Sequence, residues 1–185
     1  MNLRDDEVLV LAHLVDELDE LLAGGGPADG APAADASAGD VPAGAEVIAG
    51  LTWPAADPIT APTDPALLRL LPDAYRDDPE AAAEFRRYTD ATLREGMRAD
   101  LDAVRAGLEV VGASGHLTLD DEQAQAWLRV LNRVRLVLAT RLGIEKADDH
   151  EELDLLAEDD PRATPYLVFG WVGYLLSDLL RALGH

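Results

Sequence analysis

Apolar residues recur along this chain at steps of three and four, the spacing that gathers one face of a helix. Val8, Leu11, Leu14, Val15, Leu18, Leu21 and Leu22, with acids between them, predict a helix from about Asp5 to Ala23. Asp5 and Glu7 suit its positive N-terminal end, and the glycines at 24 to 26 stop it. A short helix is predicted over Pro65–Leu71, with Asp64 as cap and Pro65 at the first helical position. A longer stretch begins near Pro79 behind Asp78 and carries Phe85, Tyr88, Leu93, Met97, Leu101, Val104, Leu108 and Val111 as its apolar stripe. Thr89-Asp90 and Gly96 are candidate breaks in it, and Gly112 and Gly115 its expected end. After a short extended link, His116 to Leu119, Asp120 caps a helix from Asp121 to about Leu142 that Gly143 closes. The acidic run from Glu145 to Asp160 contains Leu153, Leu155 and Leu156 and predicts a short helix with solvated flanks. The last helix is expected to start at Thr164-Pro165 and run to Leu183. No strand of convincing length, no glycine-rich phosphate loop and no repeat period is visible. The pattern therefore predicts an all-α, single-domain bundle of about five to six helices over residues 1–185.

Residues 24 to 62 depart from the pattern. They are rich in Gly, Ala, Pro and Asp, with almost no large apolar side chain before Val47. Such a segment buries too little surface to offset its ordering entropy, so a flexible or loosely docked loop is expected there. Val47, Ile48, Leu51, Trp53 and Ile59 are the side chains able to dock back onto the body. The segment offers no chemistry, which makes a tolerated insertion the plainer reading of its length.

Charge changes the picture next. With 36 acidic against 15 basic residues the formal charge is -21. A field of that sign repels phosphate backbones, which makes nucleic-acid binding by the surface at large an unfavourable reading and a basic protein partner a favourable one. There is no Cys, which excludes disulfides, thiolate-ligated zinc and thiol redox sensing. The acidic first residues do not resemble a signal peptide, and no apolar run reaches membrane-spanning length, so a cytoplasmic location is expected.

No constellation points to catalysis. His13, His116, His150 and His185 lack metal-binding spacing, and the run Asp148 to Glu152 is more simply a solvated helix start. Ser37, Ser114 and Ser177 lack a nucleophile-elbow context. No catalytic residue, metal or cofactor is expected.

The helix predicted from Asp121 is the informative one. Between Gln123 and Ile144 it has no acid and four arginines, Arg129, Arg133, Arg135 and Arg141. It is also apolar around most of its circumference, as a central helix would be. Its arginines must then reach carboxylates or the surface, because an unpaired buried charge costs several kcal/mol. Asn132 and Arg135 share a side, and Glu84 or Asp100 are candidate partners. An intramolecular ion-pair lattice is the plainer reading; a face for an acidic partner, or a local nucleic-acid patch, is the alternative. The last helix carries four of the nine aromatic residues, Tyr166, Phe169, Trp171 and Tyr174. Those rings cannot all face one neighbour, which predicts a core role on one side and a homodimer interface on another.

Two segments, LLPDAYRDDPEAAAEFRRYTDATLR (70 to 94) and WLRVLNRVRLVLATRLGI (127 to 144), are similar to an actinobacterial family first catalogued as a domain of unknown function, number two thousand and seventeen in its series. Its members are often named oxidative-stress transcriptional regulators. The resemblance covers the first helix and most of residues 65 to 183, and implies a helical regulatory protein working through a stress sigma factor rather than as a lone DNA reader. Proximity of family genes to the adaptor of the Clp protease implies, as an alternative, a role in proteolysis. The matching residues are Glu84, Phe85, Arg86, Arg87, Trp127, Asn132, Arg135 and Arg141. They imply a polar network that holds the fold or meets a partner, not a catalytic set. Thiol-based sensing does not carry over to a chain without Cys, and the stretch from 24 to 62 is longer than the motif-bearing body requires.

Overall fold

The computed structural model describes residues 3–24, 61–114, 116–146, 149–157 and 159–184. Apart from its ends, the expected loop, with its docking candidates Val47, Ile48, Leu51, Trp53 and Ile59, lies outside those residues. The described residues form six helices: α1 (Asp5–Gly24), α2 (Pro65–Leu70), α3 (Pro79–Ser114), α4 (Asp121–Leu142), α5 (Asp149–Leu153) and α6 (Ala163–Ala182). No strand occurs among the described residues, so the chain is all-α.

α4 is the axis. It packs against α6, α3, α2 and α1, while α1 also lies on α3. Its start is held by a capping box: Asp120 accepts from the Gln123 backbone, and the Gln123 side chain accepts from the Asp120 backbone N–H. Gly143, with φ of 72°, closes it in the left-handed conformation that glycine adopts without steric cost. Ala124, Ala126, Trp127, Val130, Leu131, Val134 and Leu142 are buried along its length. The main core joins Ala124, Trp127, Val130, Leu131 and Val134 to Leu11, Val15, Leu18 and Leu22 of α1, Leu67 of α2, Leu101, Val104 and Val111 of α3, and Val172, Leu175 and Leu179 of α6.

α3 runs unbroken through both expected breaks. The Thr89 hydroxyl donates to the Phe85 carbonyl within the helix instead of competing with it, and Asp90 pairs with Arg94 one turn on. Gly96 costs about 1 kcal/mol of intrinsic propensity, which burial of Met97, Leu101 and Val104 directly after it offsets. Gly112 lies inside the helix instead of ending it. The apolar stripe expected along all of α3 is found only from Met97 onward. Before that point Phe85, Tyr88 and Leu93 are exposed, and Ala82, Asp90 and Arg94 are the buried residues. The helix still follows a four-residue period there, but its inward positions are charged. α6 begins at Ala163, one residue before the expected Thr164 cap, and no side chain caps its start.

Gly107 shows how tightly α3 meets α4. A Cβ placed there would lie 3.0 Å from two ring atoms of Trp127. Gly107→Ala is therefore expected to destabilise the fold by about 1–3 kcal/mol, the usual cost of overpacking. Thermal melts should also show the loss shrink when Trp127→Phe is added, since the smaller ring withdraws the clashing atoms.

Candidate functional site

The basic residues of α4 are held from outside the helix, by side chains of three neighbouring segments. Arg129 and Arg133, one turn apart, reach back to the same carboxylate on α3. Arg129 donates to both oxygens of Asp100 at 2.9 and 2.6 Å, and Arg133 donates to one at 2.7 Å. Asp100 is 8% exposed, so this junction is mostly dry. Burial pushes its carboxyl pKa up, but the hydrogen bonds from Arg129 and Arg133 outweigh that and hold it below the usual range. Arg141 donates to Asp64 at 2.6 Å. Asp64 also caps α2 by accepting from the Ala66 backbone, so one side chain both starts α2 and ties it to α4. The Arg141 bond holds that carboxyl below its ordinary pKa as well.

Arg135 points toward α6. Its guanidinium carbon lies 4.8 Å from the centre of the Phe169 ring, and a Cβ at Gly173 would make an ordinary contact with its Nε at 3.5 Å. Phe169 joins Leu142 and Leu153 in a second, smaller core beneath α5. There His150 lies 3.3 Å from the Tyr166 hydroxyl, which donates to Asp154 at 2.6 Å. That last bond raises the tyrosine pKa.

The remaining sequence-selected residues are spread over the bundle. Arg86 pairs with Asp73, in the link before α3. Arg87 lies over the Tyr88 ring, its guanidinium 4.8 Å from the centroid. Glu84 and Asn132 are exposed. Of the two carboxylates considered as partners for the α4 arginines, the bonds go to Asp100. Glu84, Arg86, Arg87, Asn132, Arg135 and Arg141 thus form no single cluster: Arg86 meets the link before α3, Arg87 its own helix, Arg135 meets α6 and Arg141 the cap of α2. On α6, Phe169 is buried, Tyr166 and Trp171 are half-buried, and Tyr174 is exposed. Trp171 and Glu7 of α1 line the same groove.

Three junctions went unselected in the sequence. Arg94 pairs with Asp90 at 2.6 Å inside the protein and donates to the Leu22 carbonyl at the end of α1. α1 has no basic residue in its own last turn, so Arg94 supplies the cation that its negative end favours. Arg105 bridges Asp16 and Asp19 of α1 at 3.0 and 2.9 Å. Asp64 holds Arg141 as described. Only the i,i+4 spacing of Asp90 and Arg94 was visible as a local signal; the other pairings cross between helices.

Between α1 and α6 runs a groove of about 470 Å³ lined by Val10, Leu167, Val168 and Trp171, with Arg4, Asp6 and Glu7 on its rim. A second groove, of about 360 Å³, lies between α1 and α4 over Leu14, Leu18, Val134, Val137 and Leu138. Both are lined by apolar side chains with charged ones among them, Glu17, Glu20 and Arg141 in the second. Among the described residues no group of three or more His, Cys, Asp or Glu is placed to hold a metal ion. Among the described helices none is long and apolar enough to cross a membrane.

Comparison with known proteins gives a family but no structural relative. No solved structure matches the chain. Proteins named oxidative stress regulator AosR, from Mycobacterium tuberculosis and Mycobacterium bovis, are 31% identical over 133 residues, covering 66% of this chain and 59% of theirs. A Mycobacterium leprae relative is 30% identical over 149 residues, covering 75% of this chain and 65% of its own. The chain thus spans less than two thirds of the length of these relatives. The model of a domain of unknown function, DUF2017, matches residues 1–183, and the chain belongs to that family.

Proposed function

We propose that this protein is a non-enzymatic regulator in stress-linked transcription that works by binding another protein, not by reading duplex DNA. The observation that carries this reading is the state of the α4 arginines. Arg129 and Arg133 are spent on Asp100, and Arg141 on Asp64. Phosphate contacts need guanidinium groups that are available, and these are neutralised at home inside a strongly acidic chain. Apolar side chains, by contrast, remain at the surface on α1, α3 and α6. The name of the mycobacterial relatives supports a role in oxidative stress, and the family resemblance makes a stress sigma factor the expected class of partner.

Two measurements test the reading. In a mobility-shift titration at about 0.15 M salt, duplex DNA is expected to remain free at micromolar protein; a specific, saturable shift would overturn it. Affinity purification with mass spectrometry from the source organism is expected to return a transcription-associated protein. Recovery of Clp protease subunits instead would replace the transcriptional role with one in proteolysis. A second copy is a further partner in this reading, because Leu167 and Tyr174 of α6 are 72% and 65% exposed. Light scattering should then give twice the monomer mass, and Leu167→Ser with Tyr174→Ser should return it to the monomer.

A further inference from the structure

α1 and α6 both pack on α4 and hardly on one another, so the groove of about 470 Å³ between them stays open. Its two walls differ in kind. The α6 wall presents Leu167, Val168 and Trp171, on a helix without a charged residue from Thr164 to Ser177. Leu167 is 72% exposed there. The α1 wall presents Val10, 38% exposed, and Leu9 beside it in sequence is 71% exposed. Hydrocarbon of this kind gains from leaving water, and the fold supplies no helix to cover it. Apolar surface gathered along a groove and rimmed by charge marks an interaction site.

The rim specifies what covers the groove. Asp5, Asp6 and Glu7 fill the first turn of α1, with Arg4 as the cation among them. Arg4 is already engaged: its backbone N–H and its guanidinium both donate to Glu7, at 2.8 and 3.1 Å, and Asp6 lies 3.8 Å away. Asp5 and Asp6 remain exposed. One wall is therefore acidic and the other uncharged. A second copy of a chain of charge -21 would bring more carboxylates to the acidic wall, whereas cations are drawn to it. The furrow between two helices accepts the ridge of a third, whose side chains at three- and four-residue steps enter it. We infer that the groove between α1 and α6 is a docking site for an amphipathic helix of a partner protein, one with arginine or lysine along the side of its apolar stripe that lies next to α1. This rests on the reading above that the chain acts through protein contacts, and it places one of those contacts at Val10, Leu167 and Trp171.

The test uses a defined probe, a synthetic 18-residue helical peptide with a stripe of leucines edged on one side by arginines, and a twin with glutamate for arginine. Titrated into the full chain at about 0.15 M salt, the arginine peptide is expected to shift backbone resonances of residues 4 to 10 and 167 to 171, and the twin is expected not to bind. Val10→Ser with Leu167→Ser changes no charge and touches exposed positions, yet should weaken binding at least tenfold, with thermal melts confirming that the variant is folded. Asp5→Lys with Asp6→Lys should weaken it similarly, while Leu155→Ser, at the 86% exposed position after α5, should leave it within twofold. Equal binding by wild type and the Val10/Leu167 variant would reduce the effect to general charge attraction and overturn the site. Shifts at the same residues on concentrating the chain without peptide would give the groove to a second copy and overturn the occupant. A native partner retained by the Val10/Leu167 variant in affinity purification would overturn the site while leaving the regulatory reading intact. No specific partner for the wild type would overturn the regulatory reading itself.

Discussion

Asp100→Ala is expected to lower the unfolding free energy by roughly 3 kcal/mol, read as a lower urea midpoint with an unchanged slope. The carboxylate is nearly buried and receives three hydrogen bonds from two arginines. Alanine would leave the two guanidinium groups facing each other with nothing between them. Arg133 is mostly buried and bears the greater loss; Arg129 is half-exposed and can turn to water, which keeps the cost at the lower end for a broken buried pair. A paired substitution sharpens the expectation. Adding Arg133→Met to Asp100→Ala should recover a good part of the loss, because the second change removes the stranded charge. Stability should also depend on pH in a defined direction. The folded Asp100 carboxyl titrates below its unfolded value, so on acidification the unfolded chain takes up this proton first. The contribution is then complete above about pH 4 and is lost as pH falls below it, and Asp100→Ala should flatten that part of the acid limb. A variant as stable as wild type, with the same acid limb, would show that the junction holds nothing together.

Trp127→Ala should have the larger effect, about 3–5 kcal/mol, as for other buried aromatic truncations. The side chain is fully buried between α3 and α4 and sits against Gly107. Its indole N–H has no acceptor among the described residues. That makes a second outcome specific: Trp127→Phe should cost well under half as much. The phenyl ring keeps most of the packing, and the lost donor was already unsatisfied. A phenylalanine variant as unstable as the alanine one would mean that the N–H is bonded in solution.

How much of this was legible in the sequence varies with the range of the interaction. Helix starts and stops written in adjacent residues came through well. Asp64-Pro65, Asp120 and Gly143 act through bonds a few residues long, so their geometry follows from local chemistry. The central place of α4 was legible for a related reason: a helix apolar on most sides has few ways to exist except surrounded. The candidate sites were less legible. Asp100 was one of two named partners for the α4 arginines, and nothing local separated it from Glu84; the crossing of α3 and α4 did so. Arg94 and Asp90 resemble an ordinary surface pair in sequence, and only the end of α1 lying beside them makes them interior.

The α3 stripe is the plainest case. Periodicity identifies positions that share a side of a helix, but the same four-residue step is met by Phe85, Thr89 and Leu93 and by Arg86, Asp90 and Arg94. Hydrophobicity chose the first set, and the fold buries the second. By itself the sequence determined that the chain is helical, where most helices begin and end, that its charge is strongly negative and that no thiol is present. The tertiary structure decided which side of each helix faces inward and which carboxylate answers which arginine. Those outcomes depend on how helices distant in sequence are set against one another, and a period of 3.6 residues carries no information about what lies across the interface.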